Sequence, residues 1–156
     1  MKQIRRVDWE WCPRYELFTD GASAGNPGPG GWAYVLVSED GKRVVKSGCE
    51  WWGTANAMEL LAVIRGLEAI KEPSRVHIVS DSRYVVNGIA KWVDLRSRGE
   101  VVFPPNANGD LWRDLYDLLE RHEISVEHVN GHSGHIENEA CDQLARDACR
   151  RAVSVR

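Results

Sequence analysis

Nowhere in the 156 residues is there an apolar run approaching the roughly 18 that a membrane-spanning helix needs. The opening stretch, MKQIRRVDWEWCPR, alternates charges with aromatics where a secretory leader would carry a continuous apolar segment. A cytosolic protein that works away from membranes is the expectation. Cysteine is scarce: Cys12, Cys49, Cys141 and Cys149 lie far apart and form no Cys-x-x-Cys pair. Neither a structural zinc site nor a disulfide framework fits that spacing, and reduced, mostly buried thiols account for it. Positive charge is also in deficit, with a formal net charge of −3. Phosphate binding is mainly electrostatic, so this balance tells against a nucleic-acid partner. The exception is a cluster of metal-binding carboxylates, which inflates the negative count until a cation cancels it. Internal repeats and low-complexity tracts are absent as well.

What is present suits one ordinary domain: 43% of the residues are hydrophobic, enough for a real core, and there is no room for a second. Residues 1–14 carry no periodicity and include Pro13, so they read as a loose N-terminal arm preceding a single domain over 15–156. YELFT is a short strand ending at Asp20, and the turn-rich GASAGNPGPGG follows it. WAYVLVS and RVVKSGCEW are two strands joined at Glu39-Asp40-Gly41, completing an antiparallel meander. From Asn56 to Ile70 the period becomes helical, with Ala57, Leu60, Leu61, Ile64 and Leu67 on one stripe, until Pro73.

RVHIVS is then a strand ending at Asp81, SRYVVNGI a short helix stopping near Gly88, and a polar helix runs near Lys91 to Arg98. After the irregular GEVVFPPNANG, Asp110 is placed to cap the helix LWRDLYDLLERH. ISVEHV is the last strand, and NGHSGHI opens a final helix that turns Ala140, Cys141, Leu144, Ala145 and Ala148 to the core. The count is five strands, three antiparallel and two parallel, with helices on the faces: an α/β fold.

Asp20 and Asp81 fall at strand ends, and Glu59 falls in the first turns of the first helix. If those strands are neighbours, the two aspartates lie within about two strand spacings of roughly 4.8 Å each. Asp142, on the last helix, can close the group. Taken singly, each acid has an ordinary explanation as a turn residue, a cap or a partner of the helix dipole. Together they would repel one another and hold protons unless cations neutralise them, which points to Mg²⁺ on all-oxygen ligands rather than zinc. Two such ions suit phosphodiester hydrolysis.

Four segments, TDGASAGNPGPGGW, TANAMELLAVIRGLEAI, VSDSRYVVNGI and VNGHSGHIENEACDQLA, resemble in order the motifs of type 1 ribonucleases H, over about Tyr15 to Ala152. The resemblance implies an RNase H-like fold with strand order 3-2-1-4-5. It implies endonucleolytic hydrolysis of the RNA strand of RNA–DNA hybrids with two Mg²⁺ ions, Mn²⁺ able to substitute, leaving 5′-phosphate and 3′-hydroxyl ends. A monomer in the cytoplasm is expected with it.

By the same resemblance Asp20 bridges both ions, Asp142 completes the site that activates water, and Glu59 and Asp81 serve the second ion. Glu59 also meets a ribose 2′-hydroxyl, the group that marks RNA. His132 matches a mobile loop histidine that assists proton transfer or product release, with Gly131 and Gly134 on either side. His135 is its competitor, better suited to a structural place at the helix entry. Asn26, Asn56 and Arg83 match minor-groove contacts, Thr54 and Asn108 a pocket for a DNA-strand phosphate, and Trp92 an aromatic against the DNA strand. Their ordinary readings are a turn for Asn26, a helix cap for Thr54 or Asn56 and core packing for Trp92. Trp112 reads as core.

The chain departs from the family pattern in three places. Arg83 stands where glutamine is common, Ala55 replaces one asparagine of a pair, and the 91–109 segment sets Lys91, Arg96 and Arg98 against Asp94 and Glu100 in place of a longer basic protrusion. Weaker, less salt-sensitive hybrid binding is expected. A module that binds hybrids without cutting them is the rival reading, disfavoured because it has no use for a repulsive carboxylate cluster. Another nuclease on the same fold fits the Gly-rich turn and the Gly-His-Ser-Gly-His loop less well.

Overall fold

The computed structural model describes residues 7–131 and 134–155. Its five strands form one sheet in the expected order, β3-β2-β1-β4-β5. β1 (Arg14–Ser23), β2 (Gly28–Ser38) and β3 (Arg43–Gly53) pair antiparallel, because only tight turns join them. β4 (Arg75–Ser80) and β5 (Glu123–His128) run parallel to β1. The crossovers that parallel pairing requires are α1 (Ala55–Glu68) before β4, then α2 (Arg83–Ser97) and α3 (Gly109–Leu119) before β5. α4 (Ile136–Ser154) ends the fold.

The sheet has an apolar layer on each face. Leu17, Ile78 and Val76 pack with Leu60, Val63, Ile64 and Leu67 of α1, Val85 and Ile89 of α2, and Trp112, Leu115 and Leu119 of α3. On the opposite face Phe18, Val35, Val79 and Val129 meet Cys141 of α4. The alternation of Leu17 and Phe18 is the period-2 pattern of a strand buried on both sides. Each fully buried side chain of this kind contributes about 1.5–3 kcal/mol relative to exposure.

The structure corrects several boundaries. The Gly-rich stretch is largely strand, since β2 begins at Gly28. Gly31 lies so close under α4 that a Cβ there would come 2.3 Å from the Ala145 carbonyl oxygen. The two helices expected around Gly88 are one, α2. Gly88 is glycine because Trp112 lies on the helix at that point, where a Cβ would stand 2.2 Å from the ring, and not because the helix stops. Asp110 is not a cap: it sits in the first turn of α3, and Asn108 holds the cap position with φ 56°. The stretch read as a loose arm overlaps β1 at Arg14, and its described part is fastened. Asp8 caps a short 3-10 turn over Trp9–Trp11, and the Arg75 guanidinium donates to the Glu10 and Cys12 carbonyls, both at 3.1 Å.

Candidate active site

β1 and β4 run side by side as far as the Thr19–Ser80 pair, and the next residue on each strand is an aspartate, Asp20 and Asp81. They lie one strand spacing apart where the β1–β4 pairing stops; β1 itself runs on to Ser23 against β2, so Asp20 lies inside its strand and not at the end the sequence suggested. α1 crosses the same edge and lowers Glu59 onto them. That approach depends on Gly21, where a Cβ would stand 2.4 Å from the Met58 carbonyl carbon and 2.5 Å from the Glu59 nitrogen. The Gly21 N–H donates to Asp20 Oδ1 at 2.8 Å and to Glu59 Oε1 at 2.6 Å, fixing both carboxylates with one donor. Ligand oxygens of Asp20, Glu59 and Asp81 all lie within 4.8 Å of one another.

Asp142 stands outside that trio. It is half-buried on α4 and ion-paired to Arg146 at 2.7 Å. Its charge nevertheless reaches both aspartates.

Burial is the first cause that drives the Asp20 carboxyl up to about 7, opposed by its hydrogen bond with Glu59 and reinforced by the charge of Asp81. Burial, then the Asp20 contact, raises Glu59 well above the ordinary carboxylate range. Asp81 is raised by burial and then by Asp142, with His128 opposing. The His128 Nε2 lies 3.1 Å from the Asp81 carbonyl oxygen. Glu59 Oε2 is buried with no hydrogen-bond partner. An unpaired carboxylate oxygen in such a place is costly unless a proton or a cation meets it. Three hard oxygen donors with one orphaned atom suit Mg²⁺ or Mn²⁺ and do not suit a soft metal.

Around this centre the other sequence candidates fall into two groups. Thr54 caps α1, its Oγ1 accepting the Ala57 N–H at 3.0 Å, and the exposed Asn26 accepts the Ala55 N–H through Oδ1 at 3.1 Å. Asn56 is exposed in the first turn of α1, and Arg83 is exposed as the first residue of α2. Asn108 donates through Nδ2 to the Tyr84 hydroxyl at 3.1 Å, which also accepts Trp112 Nε1 at 2.9 Å. Trp92 is apart from these: it is 6% exposed and stacked on Tyr116, a member of the core.

His132 lies outside the described residues. Its neighbour Gly131 passes so near the acids that a Cβ would be 3.1 Å from Asp81 Oδ2, and Gly134 has φ +80°. His135 occupies the N-cap position of α4 with its ring 5.7 Å from that of Phe18, a packing place. Sequence reasoning missed Gly21, because Asp-Gly reads as a turn pair when it is here a strand in close contact with a helix. It also missed His128, whose only signal was a polar residue ending β5 beside Asp81.

A mixed sheet in this order, with acids crowded where the pairing of its central parallel strands ends, is the framework of a metal-dependent nuclease. The family model described as RNase H matches residues 13–150. A Ribonuclease H from Rhodopirellula baltica is 48% identical over 137 residues, covering 83% of this chain and 87% of the relative. One from Rhodospirillum rubrum is 48% identical over 152 residues, covering 92% and 84%. Among solved structures, RNase H1 from Halobacterium salinarum aligns with TM-score 0.68 at 30% identity, covering 88% of this chain and 98% of that one. LC11-RNase H1, solved in complex with RNA/DNA hybrid, shares the fold with TM-score 0.68 at 21% identity, covering 89% and 99%. The chain belongs to the RNase H family. Its catalytic class is that of a ribonuclease H, an endonuclease and hydrolase, and the family is metal-dependent.

Proposed function

We propose that the protein hydrolyses the RNA strand of RNA–DNA hybrids with two divalent ions, leaving 5′-phosphate and 3′-hydroxyl ends. The observation that carries this reading is the carboxylate trio with its orphaned Glu59 Oε2, in a chain of this family. Asp20, Glu59, Asp81 and Asp142 would hold the ions, Mg²⁺ with Mn²⁺ as substitute. When bound, they supply positive charge to the reacting phosphate and acidify the attacking water.

The chain's own groups do the rest. The Gly21 N–H holds Asp20 and Glu59 in one orientation, so these two side chains have little freedom left to lose as the site loads. Asp142 reaches in from α4 and is held in place by its ion pair with Arg146. His132, in the loop entered at Gly131, is the group to carry a proton to or from the reacting oxygens.

For substrate, Asn26, Asn56 and Arg83 present exposed polar ends at the rim. The Thr54 hydroxyl still has its proton to give, and Asn108 Nδ2 has a second hydrogen beyond the one given to Tyr84. Both can serve a phosphate of the DNA strand. Trp92 is left out of the interface, because its burial commits it to packing. The four free cysteines agree with a cytoplasmic setting. End analysis of the cleaved RNA tests the chemistry. Fragments that accept a 3′ adaptor directly and are phosphorylated at the 5′ end support it, whereas 2′,3′-cyclic phosphates would show that the ribose hydroxyl attacked instead.

A further inference from the structure

The β4–β5 ladder closes at the Ser80–His128 pair, where the Val129 N–H donates to the Ser80 carbonyl at 3.0 Å. By the alternation of a strand, Ile124, Val126 and His128 share one face of β5. Ile124 lies in the core there and Val126 packs against it. The third place on that face holds a half-buried imidazole, where the pattern calls for another apolar side chain. A polar ring in such a place needs a hydrogen-bond partner. It has one: Nε2 lies 3.1 Å from the carbonyl oxygen of Asp81. A carbonyl only accepts, so Nε2 carries the proton.

That carbonyl belongs to a peptide group held at its other end too. The Ser82 N–H donates to Oγ of the buried Ser80 at 3.0 Å. Both polar atoms of the Asp81–Ser82 peptide are therefore occupied, at the point where the chain leaves β4 and enters α2. Ser82 continues the arrangement by capping α2, its Oγ accepting the Val85 N–H at 3.2 Å. The Asp81 side chain springs from the Cα at the edge of this fixed plane, so fixing the plane limits where its oxygens can stand. The segment after β5 closes on the carboxylate as well, since a Cβ at Gly131 would stand 3.1 Å from Asp81 Oδ2.

We propose that His128 is a positioning residue for the metal centre: through Nε2–H it holds the Asp81 backbone so that the carboxylate meets an ion shared with Asp20 and Glu59. This rests on the metal-dependent reading of the site given above. Asp20 and Glu59 are oriented by the Gly21 N–H, and Asp81 is oriented through its own backbone. Small divalent ions on oxygen ligands tolerate little misplacement of a donor. Loss of a group that orients a ligand typically weakens metal binding about 10–100-fold.

The test is Mn²⁺ binding to the full chain without nucleic acid, read from the electron paramagnetic resonance signal of the free ion. Wild type is compared with His128→Phe, His128→Gln and His128→Asn. Glutamine can set an amide N–H where Nε2 stands, whereas asparagine is one methylene too short. Phenylalanine and asparagine should raise the dissociation constant about tenfold, and glutamine should stay close to the wild type. The Mn²⁺ concentration for half-maximal cleavage should move by the same factor, with KM for the hybrid unchanged at saturating metal. A histidine that only supports the fold would lower the melting temperature in all three variants and leave the dissociation constant where it was. Unchanged Mn²⁺ binding in the phenylalanine and asparagine variants, or a glutamine variant as weak as the asparagine one, overturns the proposal. If phenylalanine prevents folding, the glutamine and asparagine pair decides alone. A wild type that takes up no Mn²⁺ would instead overturn the metal-centre reading beneath the proposal, and the proposal with it.

Discussion

Replacing Asp20 with asparagine should make the metal-free protein more stable at neutral pH while removing its activity. In the folded chain the Asp20 carboxyl is pushed from 3.8 up to about 7, first by burial and then by its acidic neighbours. A raised carboxyl pKa means that the folded state holds the proton more tightly than the unfolded state does. The destabilisation is therefore absent below about pH 4, grows as pH rises from about 4 to 7, and is fully present above 7. A shift of about three units corresponds to a ceiling of about 4 kcal/mol at 1.36 kcal/mol per unit. Asparagine keeps an oxygen to accept the Gly21 N–H and carries no charge. Because the proton of Asp20 is shared with Glu59, which still has to be accommodated in the variant, about 1–3 kcal/mol of the ceiling should be recovered. For a chain of this length that is about 3–10 °C in melting temperature. Thermal melts of wild type and Asp20→Asn in chelator, at pH 4.5 and pH 7.5, provide the check. The variant should exceed the wild type only slightly at the lower pH and by the full margin at the higher. A variant no more stable at pH 7.5, or a gain that does not depend on pH, would show that the acids are not held in mutual repulsion.

Millimolar Mg²⁺ should raise the wild-type melting temperature at pH 7.5 and leave Asp20→Asn nearly unmoved, which differential scanning calorimetry reads directly. Gly88→Ala should cost at least 1–3 kcal/mol in denaturant unfolding, about the cost of overpacking a core, because Trp112 must move; a neutral result would mean that the ring has room. Thr54→Ala should lose about 1 kcal/mol as the cap of α1 and also raise KM for hybrid. A stability loss with unchanged KM would confine Thr54 to capping. Hybrid affinity measured against salt should give a shallow slope, since Arg96 and Arg98 are ion-paired to Glu120 and Asp94 and are not fully free to release counterions.

Patterns one or two residues long were legible in the sequence, whereas contacts across the fold were not. The β4 bounds, the split into three antiparallel and two parallel strands and the helical stripe of α1 follow from periodicity and connection length, whereas the strand order came from the family resemblance. The meeting of Asp20, Glu59 and Asp81 also followed, although β1 runs on past Asp20 to Ser23 and it is the end of the β1–β4 pairing, not of the strand, that brings the two aspartates together. Gly88 was misread because a glycine that admits a tryptophan ring looks, in one dimension, like a glycine that ends a helix. Asp110 was misread because capping preference is weak against a chain already turned by Asn108. Trp92 carried two meanings, and only burial against Tyr116 separates them. The looser place of Asp142 depends on a side-chain pairing with Arg146 that spacing alone did not rank above the metal site.

Strand-specific cleavage is the central test. An end-labelled RNA strand should be offered as RNA–DNA hybrid, as single strand and as RNA duplex, beside labelled duplex DNA, with Mg²⁺ and with chelator, to wild type and Asp20→Asn. The account predicts cutting of the hybrid's RNA alone, only with the metal and only by the wild type. Tight binding of the hybrid with no cleavage under any of these conditions, or cleavage that survives Asp20→Asn, would contradict it.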